Sequence, residues 1–215
     1  DGKKKQYPFQ SEYIVARPNL VVSPDKMNVF YKGPVNPVSV SVPGVASENL
    51  VVGITGGNTI RKVSNGKYEV NITRNSPQQV FINVSAKMPD GTEQRMPPME
   101  FRAKNMPQPY VKIRDIKGSG KMRKEDLAIQ QGIKAEYDPT FEFNLPIAVK
   151  SYAVEYASRG TVTPAKRYAG NKFNNEFKTA VSMLKAGDRV TFSEIQAENS
   201  IGQPYTMSPI IIEVF

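Results

Sequence analysis

Asn65-Gly66-Lys67-Tyr68-Glu69-Val70-Asn71-Ile72 and, further along, Val80-Phe81-Ile82-Asn83-Val84-Ser85-Ala86 decide the fold class. In the first stretch Tyr68, Val70 and Ile72 alternate with polar residues, the period of two that sends every second side chain to one face of a sheet. Asn-Gly ahead of it is the pair a tight hairpin turn needs, because both central residues of a type I′ turn take positive φ. Working outward, Leu20-Val21-Val22 and Asn28-Val29-Phe30-Tyr31 flank a Ser23-Pro24-Asp25 turn. Val38-Ser39-Val40-Ser41-Val42 puts three valines on one face until Pro43-Gly44 stops it. Leu50–Thr55 runs into Gly56-Gly57-Asn58, Pro89-Asp90-Gly91 makes another turn, and a last strand lies near Met99–Ala103. About seven short strands at this spacing, with no helical period, predict an immunoglobulin-like β-sandwich.

Asn105-Met106-Pro107-Gln108-Pro109 breaks the pattern. Two prolines in three residues fix φ and push their neighbours toward extended backbone, so residues 105–109 read as a short, semi-stiff linker in which Pro107 and Pro109 set the angle between domains. The organisation that follows is a disordered or tag-derived lead over residues 1–12, a sandwich over 13–104, the linker, and a second domain over 110–215. That second domain mixes element types. Tyr110–Ile116, Phe141–Leu145, Tyr152–Tyr156, Arg189–Gln196 and Pro209–Phe215 read as strands, with a turn over Asn199–Gly202. Lys124–Gln131 reads as a short helix, with Leu127 and Gln131 on one side, Glu125 and Asp126 at its positive N-terminal end, and Gly132 as the stop. Between Asn174 and Ala186 the spacing turns helical: Phe173, Phe177, Val181 and Leu184 form one stripe, closed by Gly187. The expected class is mainly β, an immunoglobulin-like sandwich followed by an α+β domain, a sheet with about two helices on it.

Composition then removes function classes. There is no cysteine and no histidine, which excludes Cys–His dyads, Ser–His–Asp triads, zinc sites built on those residues and His-ligated haem. The apolar stretches Asn49–Ile54 and Ile210–Ile212 fall far short of the ~20 residues of a membrane span. The chain begins Asp1-Gly2-Lys3-Lys4-Lys5 and not with Met, so it reads as an excised piece whose targeting segment lies upstream. The net charge of +9 is spread along the chain, with 14 basic against 8 acidic residues up to Gln108 and 15 against 12 after it. Nucleic-acid binders concentrate such an excess on one face. The densest patch is Lys117, Lys121, Arg123 and Lys124 around Gly118-Ser119-Gly120. It reads first as a solvated loop leading into a helix, second as a site for an acidic protein partner, and third as a contact for nucleic acid.

Four motifs touch on chemistry and each has a plainer reading. Gly118-Ser119-Gly120-Lys121 looks like a phosphate loop, but Asp115 occupies the first glycine position and Met122 the magnesium-binding hydroxyl position. Ser182-Met183-Leu184-Lys185 fits a Ser-x-x-Lys nucleophile pair without the accompanying elements, Lys178-Thr179-Ala180 being the nearest miss. Glu136, Asp138 and Glu142 bring carboxylates close in sequence, yet Asp138-Pro139 is simply a turn and Glu142 the outward side of a strand. Asn71-Ile72-Thr73 and Asn83-Val84-Ser85 match a glycosylation sequon inside strands. Tyr110, Tyr137, Tyr152, Tyr156 and Tyr168 read as half-buried. No catalytic residue, cofactor or metal is expected.

Beyond composition, Val22–Tyr31, then Gly33, then Asn36–Gly44 resembles the characteristic segment of the GldM/PorM family of the Bacteroidetes type IX secretion and gliding machinery. Phe101-Arg102-Ala103-Lys104 before Pro107-Gln108-Pro109 is similar to that family's domain junction. Leu127–Ala135, Phe141-Glu142-Phe143 and Gly187–Phe192 are similar to its terminal domain. The resemblance covers nearly the whole chain and lacks only the family's membrane-spanning helix and upstream periplasmic domains. It implies a non-enzymatic homodimer in the periplasm, anchored to the inner membrane by an N-terminal helix absent here. It further implies a shaft that joins a GldL/PorL-like inner-membrane motor to an outer-membrane-associated ring of GldK/GldN (PorK/PorN)-like proteins. The competing readings are a carbohydrate- or protein-binding sandwich without a motor role, and a hydrolase using Ser182 and Lys185.

Overall fold

The computed structural model of the chain describes residue 10 and residues 27–88 and 91–215. The expected lead over 1–12 (apart from Gln10), the Leu20-Val21-Val22 strand, its Ser23-Pro24-Asp25 turn, and Pro89 and Asp90 lie outside the described residues. The chain divides between Met106 and Pro107 into two compact units, each with its own apolar core.

Among the described residues the first unit has eight strands: β1 (Val29–Tyr31), β2 (Val35–Ser39), β3 (Leu50–Ile54), β4 (Thr59–Ser64), β5 (Lys67–Asn71), β6 (Gln79–Lys87), β7 (Glu93–Arg95) and β8 (Met99–Lys104). They make two sheets, one ordered β1-β8-β6-β3 with β7 also paired to β6, the other β2-β5-β4. Both turn their apolar alternation toward a shared core. Phe30, Val80, Ile82 and Ala103 come from the first sheet and Val70 from the second, with Ile72 just past β5. Phe30 stacks on Phe101 at 4.3 Å. The result is the expected β-sandwich. Asn65-Gly66 does form its hairpin, but only Gly66 (φ 69°) and not Asn65 takes the positive φ expected of a type I′ turn. It joins β5 to β4, a strand the alternation of the sequence did not announce because its side chains are mostly exposed. Strand β2 begins and ends earlier than Val38–Val42. Pro43-Gly44, with Gly44 at φ 79°, folds the chain back so that the Val45 amide donates to the Val42 carbonyl.

One buried polar residue fastens the first unit. Asn36 on β2 is 2% exposed. Its Nδ2 donates to the carbonyls of Tyr31 (2.9 Å), Pro34 (3.0 Å) and, more weakly, Val70 (3.4 Å), while its Oδ1 accepts from the Tyr31 amide at 2.8 Å. It thereby satisfies the backbone that crosses from one sheet to the other, where no ladder can. The first and last described strands of the unit, β1 and β8, run parallel, with Val29 opposite Arg102 and Tyr31 opposite Lys104.

The second unit is built around β12 (Ile147–Ser158) and β15 (Arg189–Asn199). Preceding them are β9 (Tyr110–Lys112), β10 (Ser119–Met122), α1 (Lys124–Ala128) and β11 (Lys134–Glu136). β13 (Thr161–Val162), β14 (Lys166–Ala169) and α2 (Asn175–Ser182) lie between them, and β16 (Pro204–Thr206) and β17 (Ile210–Val214) close the chain. The main sheet is ordered β10-β17-β15-β12-β13, with β14 on β12 and β16 on β15; β9 and β11 pair separately. The β12–β15 ladder shifts register twice, and Glu194, at φ 49°, lies in the second irregularity. Such bulges bend a long ribbon, here around the core. The expected helical stripe is real: Phe173, Phe177, Val181 and Leu184 are all buried, with Phe177 stacked on Phe173 at 4.2 Å. Asn174 caps α2 by accepting from the Phe177 amide at 2.9 Å. Leu127 of α1 joins the same core, so this is the expected α+β domain.

Several local expectations need correction. Phe141–Leu145 is no strand, because Phe141 and Phe143 stack on each other at 5.2 Å, and the Leu145 amide turns back to the Phe143 carbonyl. Alternation there lacks a partner strand. Tyr110–Ile116 stops as a strand at Lys112, since Arg114 takes φ 53° and Ile113 and Ile116 close a tight turn by exchanging both backbone bonds. Helix α1 ends at Ala128, leaving Gln131 exposed and off it, and α2 ends at Ser182, short of Ala186. Tyr152 is fully buried, not half-buried; its hydroxyl donates to the Lys172 carbonyl at 2.8 Å, and burial pushes its pKa up to about 12.

Candidate functional site

The basic patch singled out in the sequence is not a loop. Ser119–Met122 is strand β10, in parallel register with Ile211–Val214 of β17. Gly120 is there because Ile116 packs over it, and a Cβ would meet the Ile116 side chain at 2.8 Å. The four cations are dispersed by this geometry. Lys117 lies over the Tyr110 ring, its Nζ 3.5 Å from the centroid, and Lys121 pairs with Glu213 at 2.7 Å. Arg123 occupies the N-cap position of α1 and Lys124 its first turn. Lys121 also holds the Glu213 carboxyl below its usual range.

The three carboxylates do not form a catalytic pair. Glu136 on β11 accepts from Lys112 and from the Tyr110 hydroxyl, two donors on β9 that hold its pKa down. Asp138 accepts from the Thr140 amide at 3.0 Å and from its hydroxyl at 2.7 Å, the turn expected at Asp138-Pro139, and is likewise lowered. Glu142 sits in the irregular segment after Phe141, so it is not the outward side of a strand. The Ser182 hydroxyl donates to the Thr179 carbonyl at 2.7 Å, while the Lys185 amide donates to the Asp188 carboxylate at 2.8 Å. That arrangement closes the turn after α2. Asn71 and Asn83 lie on β5 and β6, as strand residues. Among the described residues no group of three His, Cys, Asp or Glu gathers closely enough to hold a metal ion, and no helix is long and apolar enough to cross a membrane.

A different set of cations does converge. In the second unit Arg114, Lys134, Lys172 and Lys178 line one cleft of about 690 Å³, together with Ile129, Gln130, Gln131, Gly132, Asn171 and Phe173. Among the described residues no carboxylate lines it. Two chain segments are drawn together to make its floor: Gly132 bridges Lys172, the Ile133 amide donates to the Asn171 carbonyl at 2.9 Å, and the Phe173 amide donates to the Gln131 carbonyl at 2.9 Å. Only glycine fits at 132, where a Cβ would fall 1.9 Å from the Asn171 carbonyl oxygen. The Tyr152 hydroxyl holds the Lys172 carbonyl from below, and the Asn174 cap fixes the start of the helix that carries Lys178. Among the described residues Arg114 makes only long ion-pair contacts, 3.5 Å to Asp126 and 3.7 Å to Asp115. Lys134, Lys172 and Lys178 make no ion pair among the described residues, whereas Lys112, Lys121, Lys150 and Lys166 each do. Sequence reading missed this set because its members come from three separate segments, around Arg114, Lys134 and Lys172–Lys178. The local trace they leave is Gly132, read as a helix stop, which in fact admits a neighbouring backbone.

Fold and cleft together define a two-unit, β-rich protein that offers concentrated surface charge. Comparison with known families makes the identification specific. Residues 19–104 match the model of the GldM third domain, and residues 106–215 match that of the GldM C-terminal domain. The chain belongs to the GldM family, a structural, periplasmic component of the gliding and type IX secretion machinery. No curated protein matches it. Among solved structures, the fibronectin(III)-like modules of Clostridium thermocellum CbhA align at 17% identity over 87% of this chain and 88% of theirs, with a TM-score of 0.28. A Bacteroides ovatus protein of a mixed-linkage glucan utilization locus, solved with a mixed-linkage heptasaccharide, aligns at 8% identity over 87% of this chain and 44% of its own, with a TM-score of 0.20. Superpositions that loose carry neither a fold nor a ligand to this chain.

Proposed function

We propose that the chain is the outer-membrane-proximal part of a dimeric periplasmic shaft. The shaft is held in the inner membrane by an N-terminal helix and couples a GldL/PorL-like motor to a ring of GldK/GldN (PorK/PorN)-like proteins, with no covalent chemistry of its own. The observation that carries this reading is the order of the two matches: third domain, then C-terminal domain, along one continuous chain. The topology of the first unit supports it physically. When force pulls the ends of two parallel strands apart along their length, every bond between them is loaded at once. A hairpin pulled from its open end breaks one bond at a time. β1 and β8 stand in the first arrangement, reinforced by the Arg102 amide to the Asn28 carbonyl (2.9 Å) and the Lys32 amide to the Lys104 carbonyl (2.8 Å).

Single-molecule pulling tests it. The chain has no cysteine, so handles go where cysteines are introduced. Handles at Val29 and Lys104 load the parallel pair in shear. Handles at Thr59 and Asn71, opposite each other at the open end of the β4–β5 hairpin, unzip it. A load-bearing role calls for a several-fold higher rupture force in the first geometry. Equal forces would remove the mechanical argument.

A further inference from the structure

We propose that the Arg114–Lys134–Lys172–Lys178 cleft binds an acidic, partly apolar peptide segment of a partner protein. The inference rests on the reading of the chain as a connector, which needs a surface that grips a ring component.

Charge is the first argument. Among the described residues, three lysines without ion-pair partners and one loosely paired arginine repel one another across a cleft that no carboxylate lines, and a ligand bearing several negative charges relieves that repulsion. Rigidity is the second. The cations sit on backbone pinned by the Gly132–Lys172 bridge, the Tyr152 hydroxyl and the Asn174 cap, so a ligand meets them already gathered. The third argument separates a peptide from a free phosphate. Phosphate sites are cradles of unspent backbone N–H groups, and here the Ile133 and Phe173 amides are already spent on the Asn171 and Gln131 carbonyls. What the cleft adds to its charges is Ile129, 73% exposed at the end of α1. An apolar side chain of that exposure beside lysines matches a segment that alternates carboxylates with apolar residues, and offers nothing to an inorganic anion.

The probe is a fluorescent synthetic peptide of Glu-Glu-Leu repeats titrated with the purified chain. The triple variant Lys134→Gln, Lys172→Gln, Lys178→Gln is compared with Lys117→Gln, Lys121→Gln, Lys124→Gln, which removes the same charge from the dispersed cations on and beside β10. Unchanged thermal unfolding verifies that both remain folded. The proposal expects the cleft variant to weaken binding on the order of tenfold or more and the other by less than about twofold, with sodium pyrophosphate failing to compete at matched ionic strength. Equal weakening by the two variants, displacement by pyrophosphate, or no binding overturns it. If the peptide fails to bind while the intact protein still holds a ring, the cleft assignment falls and the connector reading stands. If the peptide binds the cleft of a protein that holds no ring, the connector reading falls and the cleft assignment stands.

Discussion

Asn36 allows a prediction whose sign, and not only its size, follows from the hydrogen bonds. Its amide nitrogen faces three carbonyls and its oxygen faces one amide, so the orientation of the group is set by its partners. Asn36→Ala removes all four of these hydrogen bonds at once from the crossing between the sheets. At about 0.5–1.5 kcal/mol for each hydrogen bond lost, and with partial relaxation, the loss is about 2–4 kcal/mol. Asn36→Asp keeps the shape but turns an oxygen toward those carbonyls and buries a carboxylate, which costs about 1–3 kcal/mol more than alanine at neutral pH. The folded state raises the pKa of such an acid, so the aspartate variant binds an extra proton when folded and regains stability as pH falls from 7 toward 5. Urea unfolding followed by circular dichroism gives the order wild type, then alanine, then aspartate at pH 7. An aspartate variant as stable as alanine, or an alanine variant within about 0.5 kcal/mol of wild type, refutes the clasp.

Three further outcomes follow from the second unit and the linker. Phe177→Ala removes a fully buried ring stacked on Phe173; it costs about 3–5 kcal/mol and lowers the melting transition of the second unit by about 12 °C or more, while Asn36→Ala acts on the first. Two calorimetric transitions that each respond to one variant confirm separate cores, and a common shift denies them. Asp188, lowered chiefly by the Lys185 amide, stabilises fully above the ordinary carboxylate pKa and loses that contribution as pH falls below about 4. Asp188→Asn therefore flattens the loss of stability between pH 7 and pH 3, and an unchanged slope in urea midpoints rejects the role. Replacing both Pro107 and Pro109 with glycine broadens the interdomain distances read by spin labels, and an identical distribution removes the stiff-linker proposal.

The legible part of the fold is where side-chain period and backbone requirement agree. Lys67–Ile72 carries both an alternation and an Asn-Gly turn, and Phe173–Leu184 carries both a stripe and a cap. Phe141–Leu145 has alternation without a partner strand, and aromatic stacking takes those side chains elsewhere. Ser119–Met122 was hidden for the opposite reason: two small residues and a lysine look like a loop, and only parallel pairing with the distant Ile211–Val214 makes them a strand. The basic cleft was least legible. Arg114, Lys134, Lys172 and Lys178 are ordinary surface cations in sequence, and they meet because Gly132 lets two backbones touch.

A connector must keep two membrane-bound assemblies in one particle. The most direct measurement isolates the intact protein that carries this chain through a tag on the proposed motor partner, from cells with and without residues 107–215, and measures recovery of the proposed ring proteins by quantitative mass spectrometry. Retention of motor and ring together in the first case, with loss of the ring alone in the second, is the predicted result. Equal recovery of the ring without those residues contradicts it.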